Sequence, residues 1–373
     1  MKTAKYIESL DKVSFIDRQE RERLKPITER FGFRANEYYL NLINWEDPCD
    51  PIRRIVIPDP EEVTDWGRWD ASQENKYTII PGLQHKYYSV ALILASNICG
   101  GYCRFCFRKR LFFKSSMDAL NNFSEILSYL RAHSEITDVL LSGGDPLLLS
   151  TRKLDKIISR IRSIDHIKIL RIGSKIPAYN PYRILNDPSL LELFRQYSKP
   201  VKRIYFMTNF NHPRELTEPA IKAIALLHKA NLIMTNQTPL LKGINSDPFV
   251  LSELFKKLSF IGVPPYYVFQ CRPTLGNKPY AVPVEEAYEI FEQARINCSG
   301  LAKRARFVMS HSTGKIEVVG NTEHQIYFKY HSSANSQDGY NLLIFERNPY
   351  AYWFDDYEEK KSALPQKFLN QVS

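Results

Sequence analysis

At 373 residues, 44% of them apolar and 25% charged, the chain can bury one large core or two ordinary ones, and it leaves little room for extensive disorder. Its 51 Lys and Arg against 41 Asp and Glu give a net charge of +10, but the cations are spread along the chain and no nucleic-acid module is recognised, so nucleic acid is not the expected partner. No stretch approaches the roughly 18 apolar residues needed to span a bilayer and no signal-type run follows Met1, so the expectation is a cytoplasmic protein with no membrane partner.

Residues 1–88 read as a helical and irregular N-terminal extension, with prolines at Pro48, Pro51, Pro58 and Pro60. From 89 the rhythm changes. The apolar run 90–95 predicts a buried strand, 122–132 a helix with Phe123, Ile126, Leu127 and Leu130 at helical spacing, and 137–141 a strand. A helix over 154–164 and strands over 167–172 and 203–207 follow. Helices over 220–230, 250–260 and 285–294 then alternate with strands near 232–235, 266–270 and 305–309. This alternation predicts an α/β fold, a partial (β/α)6 barrel of TIM type over 89–315 with its chemistry at the C-terminal strand ends; a doubly wound open sheet is the rival. Beyond 315 the pattern weakens into β-like pieces at 316–319 and 341–345 and an aromatic stretch at 350–357. Residues 316–373 are therefore expected to form a β-containing tail, a lid or a subunit contact in a homo-oligomer.

Three of the six cysteines fall within eight residues, in the run CGGYCRFC at 99–106. The others, Cys49, Cys271 and Cys298, stand alone, a pattern of a metal site rather than of a disulfide framework. The C-x3-C-x2-C spacing lets one loop present Cys99, Cys103 and Cys106 to an iron–sulfur cubane with no fourth protein ligand. A structural zinc would want a fourth Cys or His nearby, and the first histidine downstream is His133. Phe105, inside the run, is either a stacking surface for an adenine or a loop-anchoring core aromatic. One βα unit later, Gly143, Gly144 and Asp145 form a turn where backbone can approach a ligand closely and a carboxylate can meet an ammonium.

Together these residues resemble the radical S-adenosylmethionine (SAM) superfamily, which implies a 4Fe–4S cluster, S-adenosylmethionine as cosubstrate and a flavodoxin- or ferredoxin-type electron donor. The likeness narrows further to lysine 2,3-aminomutase and its relatives over about 35–320. It is carried by DPIRR at 50–54, HKY at 85–87, CFRKR at 106–110, VLLSGGDP at 139–146, RIGS at 171–174, NHP at 211–213, Gln237 with LKGIN at 241–245, and PYYVFQC at 265–271. That resemblance implies pyridoxal 5'-phosphate as a second cofactor, held as a Schiff base by Lys315 in HSTGK at 311–315, with Lys86 at its phosphate. This glycine loop is about two residues shorter than the family's.

The resemblance further implies an isomerase moving an amino group from Cα to Cβ of a small-molecule amino acid, with Arg108 gripping the substrate α-carboxylate. Where lysine-specific members place two aspartates around the distal ammonium, this chain has Arg272 and Ser310. A guanidinium there repels a lysine side chain and suits an acidic or polar one, unless Arg272 pairs internally with Glu317. No C-terminal cysteine cluster for zinc follows Cys298, so no zinc is expected. The alternatives are action on free or protein-linked lysine, or a non-catalytic iron–sulfur binding protein.

Overall fold

The computed structural model describes residues 4–112, 122–335, 339 and 341–357. One twisted sheet organises them: β1 (Thr78–Ile80), β2 (Leu83–Tyr87), β3 (Val90–Ser96), β4 (Asp138–Gly143), β5 (Ile169–Ser174), β6 (Ile204–Thr208), β7 (Ile233–Leu240), β8 (Pro265–Gln270), β9 (Arg306–His311), β10 (Gly314–Asn321), β11 (Gln325–Ser333) and β12 (Leu342–Glu346). The strands lie side by side in chain order. Strands β3 to β9 are parallel, and antiparallel strands extend both ends.

A helix α1 (Arg18–Phe31) lies in the N-terminal extension. The crossovers between parallel strands carry α2 (Phe123–Ala132), α3 (Thr151–Arg162), α4 (Pro188–Tyr197), α5 (Glu218–Lys229), α6 (Pro248–Phe260) and α7 (Val284–Ile296). Six strand–helix units and a seventh parallel strand thus make the expected partial barrel, with the chain continuing the sheet at either end. Local chemistry sets the helix starts. Asp187, Thr217 and Asp247 cap α4, α5 and α6 with their side chains, and a proline sits in the first turn of each.

Side-chain alternation separates the two faces of the sheet. Val139, Leu141, Leu170, Ile172, Ile204 and Phe206 are fully buried in one core with Leu154, Ile158, Leu190 and Ile224 of the helices. Their neighbours Leu140, Ser142, Arg171, Gly173 and Tyr205 face the other way and are only half-buried. A second core joins α7, β9 to β12 and the tail residues Ala351, Trp353 and Tyr357. A third packs the N-terminal extension onto the cysteine loop.

Two expectations are corrected. The segment before 89 is not only helical and irregular, because β1 and β2 pair into the main sheet. Helix α4, unexpected between the strands β5 and β6, buries Leu190, Leu191, Leu193 and Phe194. The β-like pieces at 316–319 and 341–345 are parts of β10 and β12, with β11 between them. Among the described residues, no helix is long and apolar enough to cross a membrane.

Candidate active site

The loop after β3 carries Cys99, Cys103 and Cys106 as free thiols, none fully exposed. They lie close enough to act on one another electrostatically, and burial pushes all three thiols up, Cys103 to about 12. Among the described residues, no three His, Cys, Asp or Glu side chains are drawn together as round a single metal ion. The loop is braced from behind. Arg104, 1% exposed, forms two hydrogen bonds to Glu62, at 2.9 and 2.7 Å, and a third to the Gly32 carbonyl at 2.7 Å. The Tyr179 hydroxyl lies 3.1 Å from the Cys103 Sγ. Phe105 is 8% exposed and meets Tyr280 edge-on at 6.2 Å, packed in the core that joins the N-terminal extension to the loop.

The glycine turn ends β4 directly beside this loop. Gly143 has φ +116°, and a Cβ there would fall 2.3 Å from the Ser96 carbonyl; on Gly144 it would fall 2.4 Å from that of Ile98. The turn is therefore a cradle of bare backbone against the strand that delivers the cysteines. Asp145 is 4% exposed and accepts from Leu147 N, Lys175 N and the Ser174 hydroxyl. Burial pushes its carboxyl up to about 6. Expected at a methionyl ammonium, this carboxylate is filled by protein donors and ties β4 to the end of β5.

The concave face carries the second group of expected residues. Lys315, second residue of β10, pairs in register with Ser310 of β9. Its Nζ lies 3.9 Å from the Tyr267 ring centre and 5.9 Å from that of Phe269. Burial, then Arg171, Arg272 and Lys86, bring its amine down to about 7. Lys86 hydrogen-bonds the His311 carbonyl and is lowered to about 8 by burial and then Arg272. Arg272 lies 3.6 Å over the Phe107 ring, and its guanidinium has no ion pair among the described residues. Ser310 accepts from Ser72 through its backbone at 3.4 Å.

Arg108, expected at a substrate carboxylate, is instead closed on Glu74 at 2.8 and 3.0 Å and on Ser142 at 2.9 Å. Arg110 shares the same Glu74. Arg272 does not pair with Glu317, whose carboxylate meets Arg306 at 2.8 Å. Sequence reasoning overlooked Glu74, Tyr179, Phe107 and Tyr267. Tyr267 lies in PYYVFQC and Phe107 in CFRKR, and the Phe107 ring lies under the guanidinium groups of Arg108 at 4.7 Å and Arg272 at 3.6 Å.

A family model described as the radical SAM superfamily matches residues 93–252, which hold the cysteine loop and the glycine turn. A protein of Aquifex aeolicus provisionally named L-lysine 2,3-aminomutase is 54% identical over 359 residues, 96% of each chain. The L-lysine 2,3-aminomutase of Clostridium subterminale is 36% identical over 79% of this chain and 70% of its own. The chain belongs to the radical SAM aminomutase family. A glutamate 2,3-aminomutase of Clostridioides difficile is also 34% identical, over 79% of this chain and 69% of its own. Among solved structures, a radical SAM methyltransferase from Sphaerobacter thermophilus aligns at TM-score 0.41 and 14% identity over 61% of this chain and 68% of that chain, too loose to carry an argument.

Radical SAM aminomutases use a 4Fe–4S cluster and S-adenosylmethionine, and lysine 2,3-aminomutases use pyridoxal phosphate as well. The residues of this aminomutase fit all three groups. One loop offers three thiols and no fourth ligand. Gly143 and Gly144 pack their backbone directly on Ser96 and Ile98, so the turn is held against that loop with no side chain between them, and Lys315 is a desolvated amine with cations around it.

Proposed function

We propose that this enzyme moves an amino group between Cα and Cβ of a free amino acid whose side chain is acidic or polar. When bound, the cluster and S-adenosylmethionine supply a hydrogen-abstracting radical, and pyridoxal phosphate supplies a conjugated electron sink for the migrating nitrogen. Cys99, Cys103 and Cys106 would hold the cluster, and the Gly143–Gly144 backbone the cosubstrate. Lys315 would hold the pyridoxal aldehyde. An amine lowered to about 7 is half neutral at neutral pH, and so nucleophilic without a separate base. Lys86 stands near it as a point charge for the phosphate.

The substrate class rests on one observation. The described carboxylates on this side of the sheet, Glu74, Asp138 and Glu317, are already paired, Glu74 with Arg108 and Arg110, Asp138 with Arg171 at 2.9 Å and Glu317 with Arg306 at 2.8 Å. Arg272 is left unpaired. Among the described residues of this face, a lysine ammonium would find every carboxylate already paired and the guanidinium of Arg272 without an ion pair, whereas an anionic group would find Arg272.

Anaerobic reconstitution with iron, sulfide, pyridoxal phosphate and S-adenosylmethionine, followed by mass spectrometry of amino-acid mixtures, tests this. The β-isomer should form from glutamate or another acidic or polar amino acid at higher kcat/KM than from lysine. Arg272→Gln should remove that preference. Lysine as the best substrate of the unaltered protein would defeat the reading and favour the activity named for the Clostridium subterminale relative.

A further inference from the structure

Tyr179 closes the short helix Ile176–Tyr179 that follows β5, and its side chain reaches back to the cysteine loop. It is 1% exposed, yet its hydroxyl is 3.1 Å from the Cys103 Sγ. The other polar groups around it are engaged elsewhere. Lys175, 5.2 Å from the ring centre, donates to Glu215 at 2.6 Å and to the Asn209 carbonyl at 2.7 Å. Tyr39, 4.4 Å away edge-on, donates to Glu215 at 2.6 Å.

The loop is shaped around this ring as well. A Cβ on Gly101 would sit 2.9 Å from the Tyr179 ring, while one on Gly100 would press first on Ile176 of the same short helix, at 3.0 Å. The Asn36 amide then donates to both the Gly100 carbonyl, at 3.1 Å, and the Tyr179 carbonyl, at 2.9 Å, locking the two segments in register. Gly101, inside the cysteine run, thus makes room for one buried tyrosine aimed at one thiol.

A metal-bound cysteine sulfur carries no proton, so in the cluster-bound protein the hydroxyl must be the donor. We propose that Tyr179 sets the reduction potential of the cluster by donating a hydrogen bond to the Cys103 sulfur. One-electron reduction adds a negative charge to the cluster, and an O–H dipole aimed at a ligand sulfur in a dry site stabilises that charge, raising the potential. Tyr179 is a tuning residue. It touches neither substrate nor cosubstrate in this account, and it makes electron entry easier from a donor of limited reducing power.

Redox titration of the reconstituted cluster, followed by the electron paramagnetic resonance signal of its reduced form, tests this without substrate or pyridoxal phosphate. The outcome is therefore independent of the substrate reading. Tyr179→Phe keeps the ring and removes the hydroxyl; at unchanged iron content its midpoint should move to more negative potential. Replacing Tyr179 by 3-fluorotyrosine keeps the shape and makes the phenol more acidic, so the midpoint should move the other way; this substitution decides the matter if Tyr179→Phe fails to fold. Tyr39→Phe, which loses a hydroxyl bonded to Glu215, should leave the midpoint in place. Midpoints equal to that of the unaltered protein in Tyr179→Phe, or in the fluorinated protein, would overturn the proposal.

Discussion

The amine of Lys315 rests 3.9 Å from the centre of the Tyr267 ring, and the Tyr267 hydroxyl is 2.5 Å from the Nε2 of His331. Desolvation is the largest cause of the low Lys315 pKa, and His331, itself brought down to about 4, contributes no positive charge near neutral pH. The amine should therefore react with an amine-selective reagent half-maximally near pH 7, reaction growing as pH rises and the proton leaves. Peptide mass spectrometry across pH measures this. Tyr267→Ala admits water and should move the midpoint upward, toward the ordinary lysine value of 10.5.

If Lys315 holds the pyridoxal group, Lys315→Ala should lose amino migration by more than a hundredfold. It should keep cluster iron and still release 5'-deoxyadenosine, because the thiols and the glycine turn are untouched. Assaying both products on one preparation separates the steps, and β-amino acid formed at the normal rate would remove Lys315 from the chemistry.

Glu74 is held well below the usual carboxylate range despite its burial, because the guanidinium groups of Arg108 and Arg110 share it. A carboxylate with a depressed folded pKa stabilises the fold fully above the unfolded value near 4.5, and that contribution is lost progressively as pH falls from there toward the lower folded value. Glu74→Gln leaves buried Arg108 with no carboxylate and Arg110 with only Asp70 at 3.9 Å, and should cost about 3–5 kcal/mol near neutral pH. In denaturant titrations from pH 7 to pH 3, the gap between the two proteins should shrink as the unaltered one loses its advantage.

How far the site was readable follows from how its parts are held. The cysteine spacing and the Gly143–Gly144 turn stood out in the sequence because each is a short motif whose chemistry demands particular residue types at fixed offsets, whereas Lys315 was reached only through the family resemblance. Glu74 and Tyr179 were not, since their partners lie 34 and 76 residues away and only the fold joins them. Arg108 was read as free for the same reason. Phe105 and Phe107 flank Cys106, and sequence could not say which ring the loop turns into the core. Helix α4 was a legible signal passed over, with Asp187 and Pro188 marking its start and Leu190, Leu191, Leu193 and Phe194 its buried face.

Gly143 joins left-handed backbone to an occupied Cβ position, so Gly143→Ala is strained in both respects. The displaced turn should weaken S-adenosylmethionine binding at least tenfold by calorimetry on the reconstituted protein, with iron content unchanged. Tight binding in Gly143→Ala would mean that the cosubstrate approaches elsewhere.

The brace behind the cysteine loop gives a prediction with a sign that runs against intuition. Glu62 is fully buried beneath Arg104 at 2.7 Å and Lys109 at 3.8 Å, and its carboxyl is held below the usual range by both. Burial already brings Lys109 down to about 8, with Glu62 as the main influence holding it up. In Glu62→Gln the Lys109 amine should fall further, so the folded protein sheds its proton at a pH where the unfolded chain, near 10.5, still holds one. Stability must then rise with pH over that window, because the unfolded state binds more protons. Glu62→Gln should be destabilised by about 3–5 kcal/mol at pH 7, and should recover part of that loss by pH 9. Since Arg104 lies between Cys103 and Cys106, the same variant should retain less iron at pH 7 than at pH 9, measured after gel filtration. A variant whose stability ignores pH between 7 and 9 would show that Lys109 keeps its proton in the folded protein as it does in the unfolded chain, and would defeat this account of the brace.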